Sequence, residues 1–136
     1  MRCFVDTSAF LAVIDRSDRY HVRASELWSR LLGDPQTALV STNYVLVETM
    51  ALIQGRMGLA ALRSFSSDVQ PILQVIWIDQ ILHERVVAGL LSQFRRRLSL
   101  VDCSSFEVMR DLGIQMYFAF DRNFDEQGFQ PLDVEQ

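Results

Sequence analysis

Lysine is absent from the 136-residue sequence: all 13 basic residues are arginine. That excludes chemistry that depends on a lysine, including a phosphate-binding loop of the Gly-Lys-Ser/Thr kind. Histidine is scarce as well. His21 precedes a predicted helix and His83 lies on a surface-like turn of another. An imidazole acid–base pair and a histidine zinc site are therefore both poorly supported. Two cysteines, Cys3 and Cys103, make neither a disulfide framework nor a zinc-ligand pattern. They read as small buried side chains in a reducing compartment. No apolar run approaches the roughly 20 residues that a membrane span needs. Met1-Arg2 leads directly into Cys3-Phe4-Val5 and then Asp6, which leaves no signal-peptide pattern. The expected location is cytoplasmic, with no membrane association. Positive charge is in deficit, with a net charge of −4. This argues against a protein that coats nucleic acid, although a local basic patch remains compatible with it.

What is present is the composition of an ordinary globular domain, 49% apolar and 22% charged. The length suits one domain spanning residues 1–136. There is no repeat, linker or low-complexity tract. Arg2–Val5 reads as a buried strand ending at Asp6. Thr7 or Ser8 can then cap a helix through Phe10, Leu11, Val13 and Ile14. After the polar break Asp15–Asp18, a second helix carries Val22, Leu27, Trp28 and Leu31 up to Gly33-Asp34-Pro35. A strand at Ala38–Ser41 leads into a third helix, capped by Thr42 or Asn43, with Val45, Leu46, Met50 and Ile53 as its apolar positions. That helix is expected to stop near Gly55 and Gly58. A short helix at Leu59–Phe65 and a strand at Leu73–Ile78 come next. Asp79 opens a helix bearing Ile81, Leu82, Val86, Leu90 and Phe94 on one side. A helix from Asp102 to about Leu112, a strand at Met116–Phe120 and an edge strand at Gly128–Leu132 complete the order. Strands alternating with helices imply an α/β fold on a parallel sheet covered on both faces.

Four acids stand out against this frame. Asp6 and Asp121 each follow an apolar strand directly. In an open parallel sheet, ligands bind beyond the carboxyl ends of strands, where strand order reverses. If the first strand and the Met116–Phe120 strand are neighbours there, their two aspartates converge. Asp102 stands at the start of a helix, where the positive end of the macrodipole favours a carboxylate. Glu48 lies within the apolar run Val45-Leu46-Val47 and Met50, so it either reaches solvent or faces a cation. Taken singly, each has an ordinary reading: a strand-end turn or cap for Asp6, a helix cap for Asp102, a solvated helix face for Glu48, and turn chemistry for Asp121. Taken together, carboxylates gathered within a few Å repel one another unless a cation is shared. A hard divalent ion such as Mg²⁺ takes oxygen ligands and keeps several waters, so two or three carboxylates suffice to hold it. Haloacid-dehalogenase-like chemistry is disfavoured, because a second aspartate should stand two residues after the first and position 8 is Ser8. Phosphorelay receiver domains also gather acids at strand ends, but they require a lysine.

Four segments in order carry a resemblance. They are Phe4-Val5-Asp6-Thr7-Ser8-Ala9-Phe10, Tyr44-Val45-Leu46-Val47-Glu48-Thr49, Leu98-Ser99-Leu100-Val101-Asp102-Cys103-Ser104-Ser105-Phe106, and Phe120-Asp121-Arg122-Asn123-Phe124 followed by Gly128-Phe129. Across essentially the whole chain the sequence resembles the PIN domain, and within it the VapC-type ribonuclease toxins of bacterial toxin–antitoxin pairs. The resemblance implies a three-layer α/β/α sandwich on a parallel five-stranded sheet. It also implies a Mg²⁺- or Mn²⁺-dependent endoribonuclease, often dimeric, silenced by a cognate antitoxin. By the same resemblance, Asp6 and Asp102 are the principal metal ligands. Glu48 completes the cage or positions the attacking water, and Asp121 is the fourth acid. Thr7 and Ser8 are hydroxyl partners that orient the first carboxylate. Asn123 stands near where some members have histidine and would orient a water. Asp125, one turn beyond Asp121, reads either as part of the site or as a solvated turn.

Arg95-Arg96-Arg97 closes the helix ahead of the Asp102 segment, either complementing its dipole or gripping RNA phosphates at the rim of the acidic pocket. Arg122 is a further candidate for the RNA backbone. Met50, Ile53, Met57, Leu59 and Leu62 form an apolar set, some of it core, whose surplus is expected to hold an antitoxin helix or a second copy of the chain. The alternative function is a PIN module that binds RNA or protein without cutting.

Overall fold

A strand covered on both faces needs near-continuous apolar sequence, and Arg2–Val5 supplies it. Strand β1 spans Arg2–Val5, with Cys3, Phe4 and Val5 fully buried. The computed structural model describes residues 1–93 and 98–132, and β1 is the middle of its five-stranded, all-parallel sheet. The others are β2 (Ala38–Thr42), β3 (Leu73–Ile76), β4 (Met116–Phe118) and β5 (Gln130–Pro131), ordered β3-β2-β1-β4-β5. From β1 the chain builds leftward to β2 and β3, then crosses back to β4 and continues to β5. The direction of winding therefore reverses between β1 and β4, the crevice where open α/β sheets bind ligands.

The connecting helices are α1 (Thr7–Ile14), α2 (His21–Leu32), α3 (Asn43–Met57), α4 (Leu59–Ser64), α5 (Gln80–Ser92), α6 (Leu100–Leu112) and α7 (Arg122–Glu126). Right-handed crossovers place α1 to α4 on one face and α5 to α7 on the other. The aromatic contacts agree. Phe10 of α1 packs edge-on against Trp28 of α2 and against Phe65, just after α4. On the opposite face Phe4 and its register partner Tyr117 both meet Phe124 of α7, which in turn meets Phe106 of α6. The result is the three-layer sandwich that the four segments imply.

Several boundaries differ from the sequence reading. Helix α1 is capped by Asp6 itself, whose side chain accepts from the Ser8 N–H, rather than by Thr7 or Ser8. Helix α3 runs past Gly55 to Met57 and stops at Gly58, which has a φ of 90° that favours glycine. Helix α6 begins at Leu100 under a Ser99 cap, so Asp102 lies in its first turn instead of opening it. Strands β3 and β4 stop at Ile76 and Phe118, short of the residues expected. Val22 and Ile81 point to solvent. The apolar surplus on α3 and α4 is mostly core: Ile53 is fully buried, and Met50, Met57 and Leu62 pack against the core, because α3 packs against α1 and α4 and also touches α6. Only Leu59 of that set stays exposed. Among the described residues, no helix is long and apolar enough to cross a membrane.

Candidate active site

The backbone sets the site before any side chain does. The Asp6 N–H donates to the Phe118 carbonyl at 3.0 Å, so the β1–β4 ladder is carried one residue past β1. Asp6 is thus held rigidly at the switch point. Its carboxylate turns back to cap α1, with Oδ2 accepting from the Ser8 N–H at 3.2 Å and from the Ser8 hydroxyl at 2.8 Å. The same hydroxyl accepts from the Phe120 N–H at 3.0 Å. Ser8 therefore ties the first aspartate to the backbone immediately before the last one. Ser8→Ala leaves the Phe120 N–H without its acceptor and removes the shorter bond to Asp6. A loss of about 1–3 kcal/mol is expected, read by thermal unfolding beside Ser8→Thr, which keeps the hydroxyl.

Asp121 caps α7, its Oδ1 accepting from the Asn123 N–H at 2.9 Å. The Asn123 side chain then reaches the other way, and its Nδ2 donates to Asp102 Oδ2 at 3.2 Å. One asparagine thus links the third acid to the fourth. Asp102 is positioned by α6, whose first turn is fixed by the Ser99 hydroxyl accepting from the Asp102 N–H at 3.0 Å. Asp6, just past β1, is brought within electrostatic reach of Asp102 in the first turn of α6 and of Asp121 at the cap of α7.

Thr7 acts differently from the expectation that it orients Asp6. Its hydroxyl donates to the Val45 carbonyl at 3.4 Å and accepts from the Thr49 hydroxyl at 3.0 Å, both on α3. It locks α3 against α1. Glu48 stands three residues after Val45 and one before Thr49, so this lock fixes its turn of the helix beside the start of α1. Glu48 is half-buried and, among the described residues, accepts no hydrogen bond and forms no ion pair. Thr49, fully buried, is a positioning residue that the sequence reading missed. A threonine in an apolar run gives no sign of a partner 42 positions away.

The electrostatics follow from burial. Asp6 is 5% exposed, and desolvation pushes its carboxyl up to about 7. The two Ser8 bonds oppose the shift, and repulsion from Asp102 and Asp121 adds to it. The Asp102 carboxyl is raised too, by burial first and by Asp121 second, against the bonds from Asn123 and Ser99. The ion pairs among the described residues, Arg23–Glu26 and Arg85 with Glu107 and Asp111, all lie elsewhere. Also among the described residues, no three Asp, Glu, His or Cys side chains are already gathered tightly enough to ligate one ion. The three aspartates form a looser set, coupled through space and through Ser8 and Asn123.

The remaining candidates divide. Arg122 is exposed beside Asp121, and Asp125 is exposed one turn further on. Arg95, Arg96 and Arg97 lie outside the described residues. His21 is structural, its Nδ1 bonded to the Ala12 carbonyl at 2.8 Å, and His83 bonds the Tyr44 hydroxyl.

Comparison with known proteins now adds to this geometry. The family model described as the PIN domain matches residues 3–130. Over 127 residues the chain is 35% identical to the 23S rRNA-specific endonuclease VapC20 of Mycobacterium tuberculosis, in both strain CDC 1551 / Oshkosh and strain H37Rv, across 93% of this chain and 94% of theirs. A crystal structure of Mycobacterium tuberculosis VapC20, described as a sarcin–ricin-loop-cleaving toxin, matches with a TM-score of 0.82 and 34% identity, covering 93% of this chain and 95% of that one. Sequence and structure point the same way, and the chain belongs to the PIN-domain family, close in sequence and structure to a VapC-type toxin.

Proposed function

We propose that this chain, acting as a single PIN domain, is a metal-dependent endoribonuclease and the toxin of a VapBC-type pair. In this reading it hydrolyses RNA phosphodiester bonds at Asp6, Glu48, Asp102 and Asp121. The observation that carries the proposal is the Asp6 carboxyl, buried at the switch point and repelled by two further aspartates with no arginine among its described partners. A buried acid in that setting is fully ionised near neutral pH only if a cation joins it. The donors are all hard oxygens, which suits Mg²⁺ or Mn²⁺. Such ions are held by one or two carboxylates plus water, consistent with a set looser than a closed cage. Asp6 and Asp102 would hold the ion, with Asp121 bound directly or through water. When bound, it would lower the pKa of a water molecule and polarise the scissile phosphate.

The chain's own residues supply the rest. Ser8 and Asn123 hold the carboxylates in place before substrate arrives, an arrangement whose loss typically costs 10- to 100-fold in metal affinity or activity. Glu48, with no described partner, is available to accept a proton from the attacking water. The kinship with a 23S rRNA-specific endonuclease makes a structured ribosomal RNA loop the first substrate to try. A cognate antitoxin and a second copy of the chain are the proposed protein partners.

The reaction class has its own test. Water as nucleophile leaves a phosphate monoester on one product and a hydroxyl on the other, whereas attack by the RNA's 2′-hydroxyl leaves a 2′,3′-cyclic phosphate. Cleavage should survive replacement of that 2′-hydroxyl by hydrogen at the cut nucleotide. Its loss, or a cyclic phosphate terminus, would overturn the hydrolytic reading. The arginine patch is tested separately. Arg96→Ala and Arg97→Ala are each expected to weaken RNA binding at low salt and to flatten the slope of log K against log salt by about 0.7. Equal slopes for wild type and variants across a salt series would remove Arg96 and Arg97 from the interface.

A further inference from the structure

Phe120 has three attachments at once. Its N–H is bonded to the Ser8 hydroxyl of the Asp6 network, and Asp121 follows it directly in the chain. Its ring is stacked on Tyr20, with centroids 4.6 Å apart and planes 6° from parallel. Tyr20 is 38% exposed, and the exposed Arg19 guanidinium lies over the same ring, 4.9 Å from its centre. Three flat groups, Phe120, Tyr20 and Arg19, are thus layered outward from the edge of the acidic site.

Interior rings meet at angles from 28°, as Tyr117 does with Phe124, to 88°, as Phe10 does with Phe65, and Phe120 itself meets the buried Phe118 at 69°. The Tyr20–Phe120 pair, at 6°, is flatter than any of these, and its outer ring is exposed. A near-parallel pair with an exposed outer ring and a guanidinium above it is the arrangement that proteins offer to an unpaired nucleobase. The platform is also preformed. Tyr20 caps α2, its N–H donates to Asp18 Oδ1 at 2.8 Å, and its carbonyl accepts from the Ala24 N–H at 2.8 Å. The His21 ring anchors the following residue to α1 through the Ala12 carbonyl. A rigid ring loses little entropy when a base settles on it. Beyond the stack, Phe120 also lines a cleft of about 240 Å³ with Arg23 and Tyr117.

We infer that Tyr20, stacked on Phe120 and covered by Arg19, is a substrate-positioning platform. It stacks an unpaired nucleobase of the RNA next to the phosphodiester held at the aspartates. Arg19 yields its place over the ring and turns to a backbone phosphate. This rests on the ribonuclease reading and narrows its substrate to RNA whose bases are unstacked at the cut, such as a loop, over a continuous duplex.

The test uses the full chain, freed of metal so that RNA is bound but not cut, and a hairpin RNA carrying the sarcin–ricin loop. 2-Aminopurine is placed at one loop nucleotide at a time. Binding to wild type is expected to quench the fluorescence of one position beside the cleaved bond. Tyr20→Phe should keep the quench, while Tyr20→Ala and Tyr20→Leu should lose it. Leucine fills the apolar space without offering a flat face, which separates stacking from packing. With metal restored, the alanine and leucine variants should fall roughly 10- to 100-fold in kcat/KM on the hairpin, the range that loss of one base–aromatic stack implies. Absence of quenching at every position in wild type, or quenching that survives Tyr20→Ala, would overturn the platform. Whether metal-loaded wild type cuts the hairpin bears on the ribonuclease reading alone, since the quench is measured without turnover.

Discussion

Asp6→Asn is expected to lower RNA cleavage by at least about a thousandfold while making the metal-free protein more stable at pH 8. Asparagine keeps the shape of aspartate and an oxygen for the Ser8 hydroxyl and N–H, so the cap of α1 and the tie to Phe120 persist. What is lost is the charge. In the proposed reaction that charge would help to hold the metal, and a bound metal would contribute several kcal/mol of transition-state stabilisation. Each 1.36 kcal/mol is tenfold in rate. For folding, the same charge is a burden: it is buried and faces Asp102 and Asp121. A structural aspartate in an ion pair would behave in the opposite way, losing stability on neutralisation. Initial cleavage rates and thermal melts on the same two preparations separate the cases.

The second large effect is a pH dependence of stability that metal should erase. Burial holds the Asp6 carboxyl up at about 7 in the folded chain, whereas an unfolded aspartate titrates near 3.9. Between those values the folded state keeps a proton that the unfolded state has released, so folding stability falls as pH rises. From pH 5 to 7, where the folded carboxyl is itself half deprotonated at the upper end, the loss amounts to roughly 2 kcal/mol, and Asp102, also raised, acts in the same sense. Asp15 and Asp34 are lowered by their own turn hydrogen bonds. Their contribution is lost only as pH falls through their folded values, below the window in question. Metal-free wild type should therefore melt several degrees lower at pH 8 than at pH 5. Saturating Mg²⁺ or Mn²⁺ should flatten the trend, and metal-free Asp6→Asn should show much less of it. A metal-free melting temperature that is level or rises over that range would remove the buried, unpaired charge at Asp6.

Much of this architecture is legible in the residues, and the gaps have physical causes. Strand β1 is readable to the residue because a central strand of a parallel sheet must be apolar on both faces and Asp6 ends the run. The convergence of Asp6 and Asp121 is readable as a conditional, since it requires β1 and β4 to be neighbours, and Phe4 opposite Tyr117 meets that condition. Helix α7 escapes notice because Arg122–Glu126 is too short for a helical period to show. Its cap, Asp121, reads as ordinary turn chemistry and as a site acid at once. Asp6 has the same double character, which is why Thr7 or Ser8 reads as the cap of α1. The roles of Thr7 and Asn123 depend on partners at Thr49, Val45 and Asp102, and nothing in the local sequence identifies such partners. The same holds for Tyr20 and Phe120, which lie 100 positions apart and carry no shared pattern. The apolar surplus on α3 reads as a docking face because a helix packed on several sides has the same composition as one with a surface left to cover.

The most direct measurement is cleavage of ribosomal RNA by the purified chain, stripped of bound metal and of any protein partner, with and without added Mg²⁺ or Mn²⁺. Wild type should yield discrete fragments only when metal is returned. Asp6→Asn, folded by the same melt, should yield none. Fragments that persist in chelator or in Asp6→Asn would contradict a metal-dependent carboxylate site, as would intact RNA after incubation of folded wild type with either metal.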